Sequence, residues 1–295
     1  MARTPRIGLA LGSGSARGWS HIGVLRALEE QGIRPDLVCG TSIGALVGAI
    51  HAEGRLDEFE PWICGLGWKG VASLMDPGWR GGLLAGDKLF SVLSRDYLKR
   101  DIGQLPLPFA AVATDLESGR EVWLRDGPVA DAVRASIAMP GLFRPALRDG
   151  ACLVDGGVVN PVPVSLARAM GADIVIAVDL DFDIAGRHLR QTGEDVPPGG
   201  ADGWLDRWWP VRSSGTGDPE KRLPSMIDVV TGAIGVMQVR IGRSRLAGDP
   251  ADAVITPRLG HLGLLEFHRA TEAIAEGRSA VQRALPMIER ALQGR

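Results

Sequence analysis

Apolar residues along the chain fall into short runs separated by helical repeats. Residues 7–11 are an apolar run ending in the loop GSGSARG, the pattern of a buried strand feeding a glycine turn. Ile22, Leu25 and Leu28 then recur at helical spacing between residues 19 and 31, and Gly32 supplies the stop. A second short strand over 37–39 leads through Ser42 into an apolar helix over 43–52. Further on, FAAVATDLESGREVWL reads as two strands joined at Glu117-Ser118-Gly119. VADAVRASI is helical, CLVDGG ends a strand, VSLARAMG is a helix and DIVIAVDL is a fully buried strand. Apolar strands alternating with helices predict an α/β fold, a three-layer α/β/α sandwich around a mostly parallel sheet.

Residues 183–224 break this pattern with glycine, proline and charge, and are expected to be a flexible insertion. A long amphipathic helix over 225–246, a last strand at 253–256 and a helical tail over 266–292 follow, giving a helical C-terminal region at 225–295. The strand near Val254 can rejoin the sheet, so residues 1–295 are expected to form one domain interrupted by a loop.

Composition narrows the function classes. At 295 residues, 45% hydrophobic and 23% charged, the chain is long enough for a substantial core. A net charge of −2 offers no field for nucleic acid, and none is expected as a partner. Cys39, Cys64 and Cys152 lie far apart without metal spacing, which predicts reduced, buried thiols in a cytoplasmic protein. The N-terminal apolar run is too brief for a secretory signal, and no stretch approaches the ~20 apolar residues of a bilayer span. Membrane contact is therefore expected to be peripheral, at the inner face. Oligomeric state is not legible.

The chemistry gathers at DLVCGTSIGALVGAI. Gly40-Thr41-Ser42-Ile43-Gly44 puts a serine between a strand and a helix, with glycines two positions away on each side. A strained corner lifts such a hydroxyl clear of the sheet, and the two flanking residues then approach so closely that a Cβ at either would clash. The helix that follows aims its positive end at the serine. Thr41 or Ser42 would also serve as an ordinary helix N-cap, which accounts for a hydroxyl but not for the paired glycines.

The loop LGSGSARG competes as a nucleotide site, and it fits poorly. A G-x-G-x-x-G read from Gly12 requires glycine where Arg17 stands, no Gly-Lys-Ser/Thr follows, and Asp36 opens its strand instead of closing it. Backbone N–H groups of Gly14 and Ser15 could instead hold an oxyanion, with Arg17 adding positive potential. A plain strand-to-helix turn is the alternative.

A serine nucleophile needs a proton acceptor. His21 sits beside the glycine loop, His51 within a helix, His188 in the insertion, and His261 and His268 flank LGLLEF. The order Ser42, Asp155, then His261 or His268 is formally that of a triad, but neither histidine follows a strand. Asp155 in LVDGGVVNP directly follows a short strand, where it reads equally as an Asx-turn residue or as a base. Desolvation and direct contact would be needed to make a carboxylate basic enough.

In this order, GSGSARG, GTSIG and DGG resemble the patatin-like phospholipase family, in the bacterial branch related to neuropathy target esterase. The resemblance extends through ARGWSHIGVLRALEEQGI, SIAMPGLFRP, DGGVVNPVPV and LLEFHRATEAIAEGRSAV, most of the chain outside 183–224. It implies a Ser–Asp dyad of Ser42 and Asp155, with Gly40 and Gly44 at the nucleophile elbow. It also implies an oxyanion hole at Gly14 and Ser15 near Arg17, and hydrolysis of phospholipid or lysophospholipid esters without metal or cofactor. Many members carry a glycine run where this chain has Ser13 and Ser15, and serine restricts positive φ. A non-catalytic lipid-binding or regulatory protein keeping the fold is the competing expectation.

Three further features remain open. SIAMPGLFRP reads as an acyl-chain wall or as a structural loop. Asp115 reads as a turn residue. Trp204, Trp208 and Trp209, near two arginines, read as a membrane-facing lid or as a packed anchor. The helix after them suits core packing or dimer formation.

Overall fold

The computed structural model describes residues 4–78, 82–182 and 226–294. The expected insertion at 183–224, with His188, Trp204, Trp208 and Trp209, lies outside these residues. In chain order the elements are β1 (Ile7–Leu11), α1 (Ser20–Glu30), β2 (Leu37–Thr41), α2 (Ile43–Glu53), α3 (Leu56–Gly65), α4 (Trp68–Leu74), β3 (Gly82–Leu84) and α5 (Asp87–Asp96). Then come β4 (Phe109–Asp115), β5 (Glu121–Leu124), α6 (Val129–Ile137), β6 (Gly141–Phe143), β7 (Ala146–Arg148) and β8 (Ala151–Asp155). The chain continues with α7 (Val164–Ala169), β9 (Ile174–Val178), α8 (Met226–Gly248), β10 (Ala253–Ile255) and α9 (Ala270–Gln293).

Eight strands form one sheet in the order β10-β9-β1-β2-β4-β8-β7, with β5 also paired to β4. From β10 to β4 every pairing is parallel. At the other end β5 and β8 run antiparallel to β4, and β7 antiparallel to β8. Burial on both faces explains why β1, β2 and β9 carry apolar runs without alternation. Leu9, Leu11, Val38, Ala111 and Val178 pack against α1, α2, α6 and α9 on one face. Ala10, Leu37, Cys39, Val112 and Val175 pack against Val164, Leu166 and Ala167 of α7 on the other. The expected three-layer sandwich is this arrangement.

β4 carries three partners, and their registers place the site. Ala111 pairs with both Gly40 and Leu124, so β2 and β5 lie on opposite edges of β4. Ala113 pairs with both Val122 and Asp155, so β8 lies on the edge that β2 occupies. β2 stops opposite Val112 and β8 stops opposite Ala113. The two strands therefore run toward each other along one edge and meet end to end.

α9 is clamped to α1 by glycines. A Cβ on Gly23 would fall 1.9 Å from the Ile274 carbonyl oxygen, and one on Gly277 would fall 2.0 Å from that of Ser20. The C-terminal helix thus buttresses the helix that follows the glycine loop. A separate two-stranded parallel sheet, β3 with β6, was not legible in the sequence. The thiols depart from expectation, because only Cys39 is buried; Cys64 is exposed and Cys152 is partly so. Cys64 lies on the exposed side of α3, next to the buried Ile63, and apolar neighbours in sequence did not reveal that face.

Candidate active site

Ser42 occupies a backbone conformation, φ 56° and ψ −125°, that residues other than glycine rarely adopt. The corner is tight on both sides. A Cβ on Gly40 would stand 2.3 Å from the Gly44 carbonyl oxygen, and one on Gly44 would stand 2.3 Å from that of Leu11. Two bare residues therefore let β2, α2 and the end of β1 converge. The Ser42 N–H donates to Ser136 Oγ at 2.9 Å, which holds the corner in its strained form.

Neither hydroxyl of the corner caps α2. Thr41 Oγ1 donates to the Asn160 carbonyl at 2.9 Å. Ser42 Oγ donates to Asp155 Oδ2 at 2.5 Å. Ser42 is 4% exposed and Asp155 is fully buried. Asp155 Oδ1 accepts the Gly157 N–H at 2.7 Å. The carboxylate thus makes an Asx-type turn with one oxygen and accepts the serine hydroxyl with the other.

Backbone contacts fix Asp155 from two more directions. Its N–H donates to the Ala138 carbonyl at 2.9 Å, and its own carbonyl accepts Thr114 Oγ1 at 2.8 Å. Burial raises its carboxyl from 3.8 to about 6, against the lowering effect of the Ser42 hydroxyl and the Gly157 N–H. A carboxylate that titrates there is a far better proton acceptor than an exposed one.

The glycine loop borders the same corner. Gly12 N–H donates to the Val178 carbonyl and Ser13 N–H to that of Pro161. A Cβ on Gly18 would collide with Ile43, the residue after Ser42. Ser15 sits at φ 52°, the positive value that a glycine would take at no cost. Its Oγ donates to the Leu264 carbonyl at 2.5 Å, which compensates for the strain. Among the described residues the Gly14 and Ser15 N–H groups have no protein acceptor.

Arg17 does not present a free charge. Its buried guanidinium donates from Nε to the Gly14 carbonyl at 3.2 Å and from Nη1 to that of Leu180 at 3.4 Å. Nη2 lies 3.5 Å from Asp181 Oδ1. Arg17 therefore braces the loop backbone, and Asp181 offsets its charge. His21 braces it too, with Nε2 2.8 Å from the Gly12 carbonyl; burial lowers this imidazole to about 4, so at neutral pH Nε2–H donates.

No described histidine bonds Ser42 or Asp155. His261 Nε2 lies 2.6 Å from Glu272 Oε1 on the surface, and the formal triad order does not correspond to an assembled relay. Asp115 is the turn residue expected, accepting the Glu117 N–H and the Ser118 hydroxyl. Among the described residues no three His, Cys, Asp or Glu side chains gather to hold a metal ion. A cavity of about 330 Å³ between α3, α4 and α5 touches none of the site residues.

Sequence reading missed several supports. Ser136 and Thr114 are hydroxyls spent on backbone groups, and nothing in their local sequence marks them. Asn160 donates to Glu121 Oε1 at 2.7 Å and to Ser165 Oγ at 3.1 Å. Glu121 in turn accepts Arg245 Nη2 at 2.6 Å, tying α8 to the loop after Asp155.

Comparison with known proteins agrees with this architecture. The model of the patatin-like phospholipase family matches residues 9–168. An uncharacterized NTE family protein of Mycobacterium tuberculosis is 36% identical over 334 residues, covering 97% of this chain and 93% of that protein. The chain belongs to the patatin-like phospholipase family. Lysophospholipase NTE1 of Pyricularia oryzae is 31% identical over 92% of this chain, which spans 18% of that protein. VipD from Legionella pneumophila shares the fold, with a TM-score of 0.57 at 15% identity over 97% of this chain and 67% of that one. Family membership supports activity as a lipid ester hydrolase.

Proposed function

We propose that the protein is a serine acyl-ester hydrolase acting on phospholipid or lysophospholipid esters through Ser42 and Asp155. The observation that carries this reading is the 2.5 Å hydrogen bond from Ser42 Oγ to a fully buried Asp155 at a glycine-flanked corner. Ser42 Oγ attacks the ester carbonyl carbon while its proton passes to Asp155 Oδ2. The oxyanion is held by the Gly14 and Ser15 N–H groups, which have no acceptor among the described residues. The C–O bond to the alcohol breaks as Asp155 returns the proton to the departing oxygen. Water, deprotonated by Asp155, then releases the acyl group from Ser42.

Arg17 and His21 act here by positioning, since both hold carbonyls of the loop that carries the anion-binding N–H groups. The segment Met139–Phe143 adjoins Asp155 through Ala138 and supplies an apolar wall for the acyl chain. Met139 and Leu142 in it are buried. The unpaired thiols support a cytoplasmic protein that meets its lipid at the membrane surface.

Phosphatidylcholine and lysophosphatidylcholine hydrolysis by the wild type and by Ser42→Ala tests the reading. The wild type releases fatty acid, and the variant loses roughly a thousandfold or more in kcat. Wild-type protein that binds these lipids and hydrolyses neither would make it a lipid-binding protein instead.

A further inference from the structure

Beside the proposed dyad lies a polar group that the mechanism above does not use. The Gln238 side chain, on the inner stripe of α8, is 7% exposed, and its Nε2 has no hydrogen-bond acceptor among the described residues. Its neighbours on that stripe are all engaged. Ile234 is buried, Gly242 closes on Pro161, and Arg245 bonds the Val159 carbonyl and Glu121. Buried donors without partners are uncommon, because burial strips their water and returns nothing.

The amide lies against the site. A Cβ built on Gly157 would stand 2.4 Å from Gln238 Nε2 and 3.0 Å from Asp155 Oδ1. Glycine at 157 is thus what gives the amide its place next to the carboxylate. On its other side Gln238 lines a recess of about 10 Å³ together with Pro161, Asp179, Asp181 and Arg243. Val162, Phe182 and Val239 complete the lining, so the recess sets three charged side chains beside apolar ones.

We infer that Gln238 is a selectivity-determining residue whose side-chain amide donates to an oxygen on the alcohol half of the substrate ester. The inference rests on the proposed hydrolase reading. In that reaction the departing alcohol oxygen must take its proton from Asp155, so the alcohol half lies on the carboxylate's side of the reacting carbon. Gln238 stands on that side, its Nε2 without an acceptor among the described residues and α8 held in place by Arg245. The shared chemistry it recognises is an acceptor oxygen near the scissile bond, supplied by a glycerol hydroxyl or by a phosphate.

Three substrates with the same acyl chain separate these cases: para-nitrophenyl decanoate, monodecanoylglycerol and decanoyl lysophosphatidylcholine. The wild type and Gln238→Met are compared by the ratio of kcat/KM for each glycerol ester to that for the aryl ester. The ratio is expected to fall about tenfold in the variant, the loss of one neutral hydrogen bond. A fall with both glycerol esters identifies the hydroxyl, and a fall with the lysophospholipid alone identifies the phosphate. Gly157→Ala, whose new methyl displaces the amide, lowers the same ratio. Because the donor has no acceptor among the described residues, Gln238→Met is expected to keep or raise the melting temperature, whereas a structural glutamine would lower it. Ratios unchanged within about twofold, in a wild type that turns over all three esters, overturn the inference and leave the hydrolase reading intact. A wild type inert to all three overturns both.

Discussion

Thr41 and Asp155 sit opposite consecutive residues of β4, the first facing Val112 and the second facing Ala113. This pairing sets the distance between Ser42, the proposed nucleophile, and Asp155, the proposed base. Strands β2 and β8 approach along one edge from opposite directions, and Ser42 is the first residue beyond the end of β2. The hydrogen bond between residues 113 positions apart is thereby built into sheet register, with no flexible loop between base and backbone. Gly156 is part of the same device, since a Cβ there would fall 2.3 Å from the Val112 carbonyl oxygen.

The first prediction concerns pH. In the proposed mechanism Asp155 must be ionised to take the serine proton, and burial pushes its carboxyl up to about 6. Below that value kcat/KM should fall about tenfold per pH unit, and above it level off. A pH–rate profile with a neutral-leaving-group ester checks this, and a profile flat across about pH 5–8 would contradict it.

The same group predicts a conflict between stability and activity. Between 3.8 and about 6 the native carboxyl holds its proton while the unfolded one has lost it. Native stability therefore falls as pH rises through this window, and above it the charged, buried group costs about 3 kcal/mol. Asp155→Asn removes that cost. The variant should be inactive yet more stable than wild type by about 1–3 kcal/mol near pH 8, and the difference should vanish below about pH 4. Urea denaturation at the two pH values measures it.

Backbone strain at the corner has its own signature. Ser42→Ala and Ser42→Gly both lack the hydroxyl, but only glycine adopts φ 56° without a steric cost. Ser42→Gly should be more stable than Ser42→Ala by about 1 kcal/mol or more, read from denaturant midpoints at constant m. Equal midpoints would mean that the corner carries no strain.

The space around two helical glycines predicts opposite outcomes for them. Gly277→Ala drives a methyl into the Ser20 carbonyl and should cost about 1–3 kcal/mol. Gly232→Ala in α8, where a Cβ meets nothing within 4 Å, should stabilise by up to about 1 kcal/mol. Thermal unfolding of the two variants compares them directly.

Local signals were legible, and long-range ones were not. The Gly40 and Gly44 pair announced a corner because the clash that Gly40 avoids, with Gly44 itself, lies within five residues; the clash that Gly44 avoids, with the Leu11 carbonyl, is long-range and was not legible. The alternation of apolar runs and helical repeats gave the sandwich. Asp155 could not be separated from a turn residue, since its partner is fixed by two strands meeting on a third. Arg17 looked like a free cation because Asp181, which offsets it, follows a strand far along the chain. The packing of Gly23 on Ile274 and of Gly277 on Ser20 left no mark either, because an isolated glycine in a helix reads as a weak point until its neighbour is known.

The central claim is that Ser42 is the nucleophile activated by Asp155. Reaction with a fluorophosphonate, followed by peptide mass mapping, tests it most directly. The account predicts one adduct, on Ser42, that is lost in Ser42→Ala and strongly slowed in Asp155→Asn. An adduct on another residue, or full-rate labelling of Ser42 in Asp155→Asn, would contradict it.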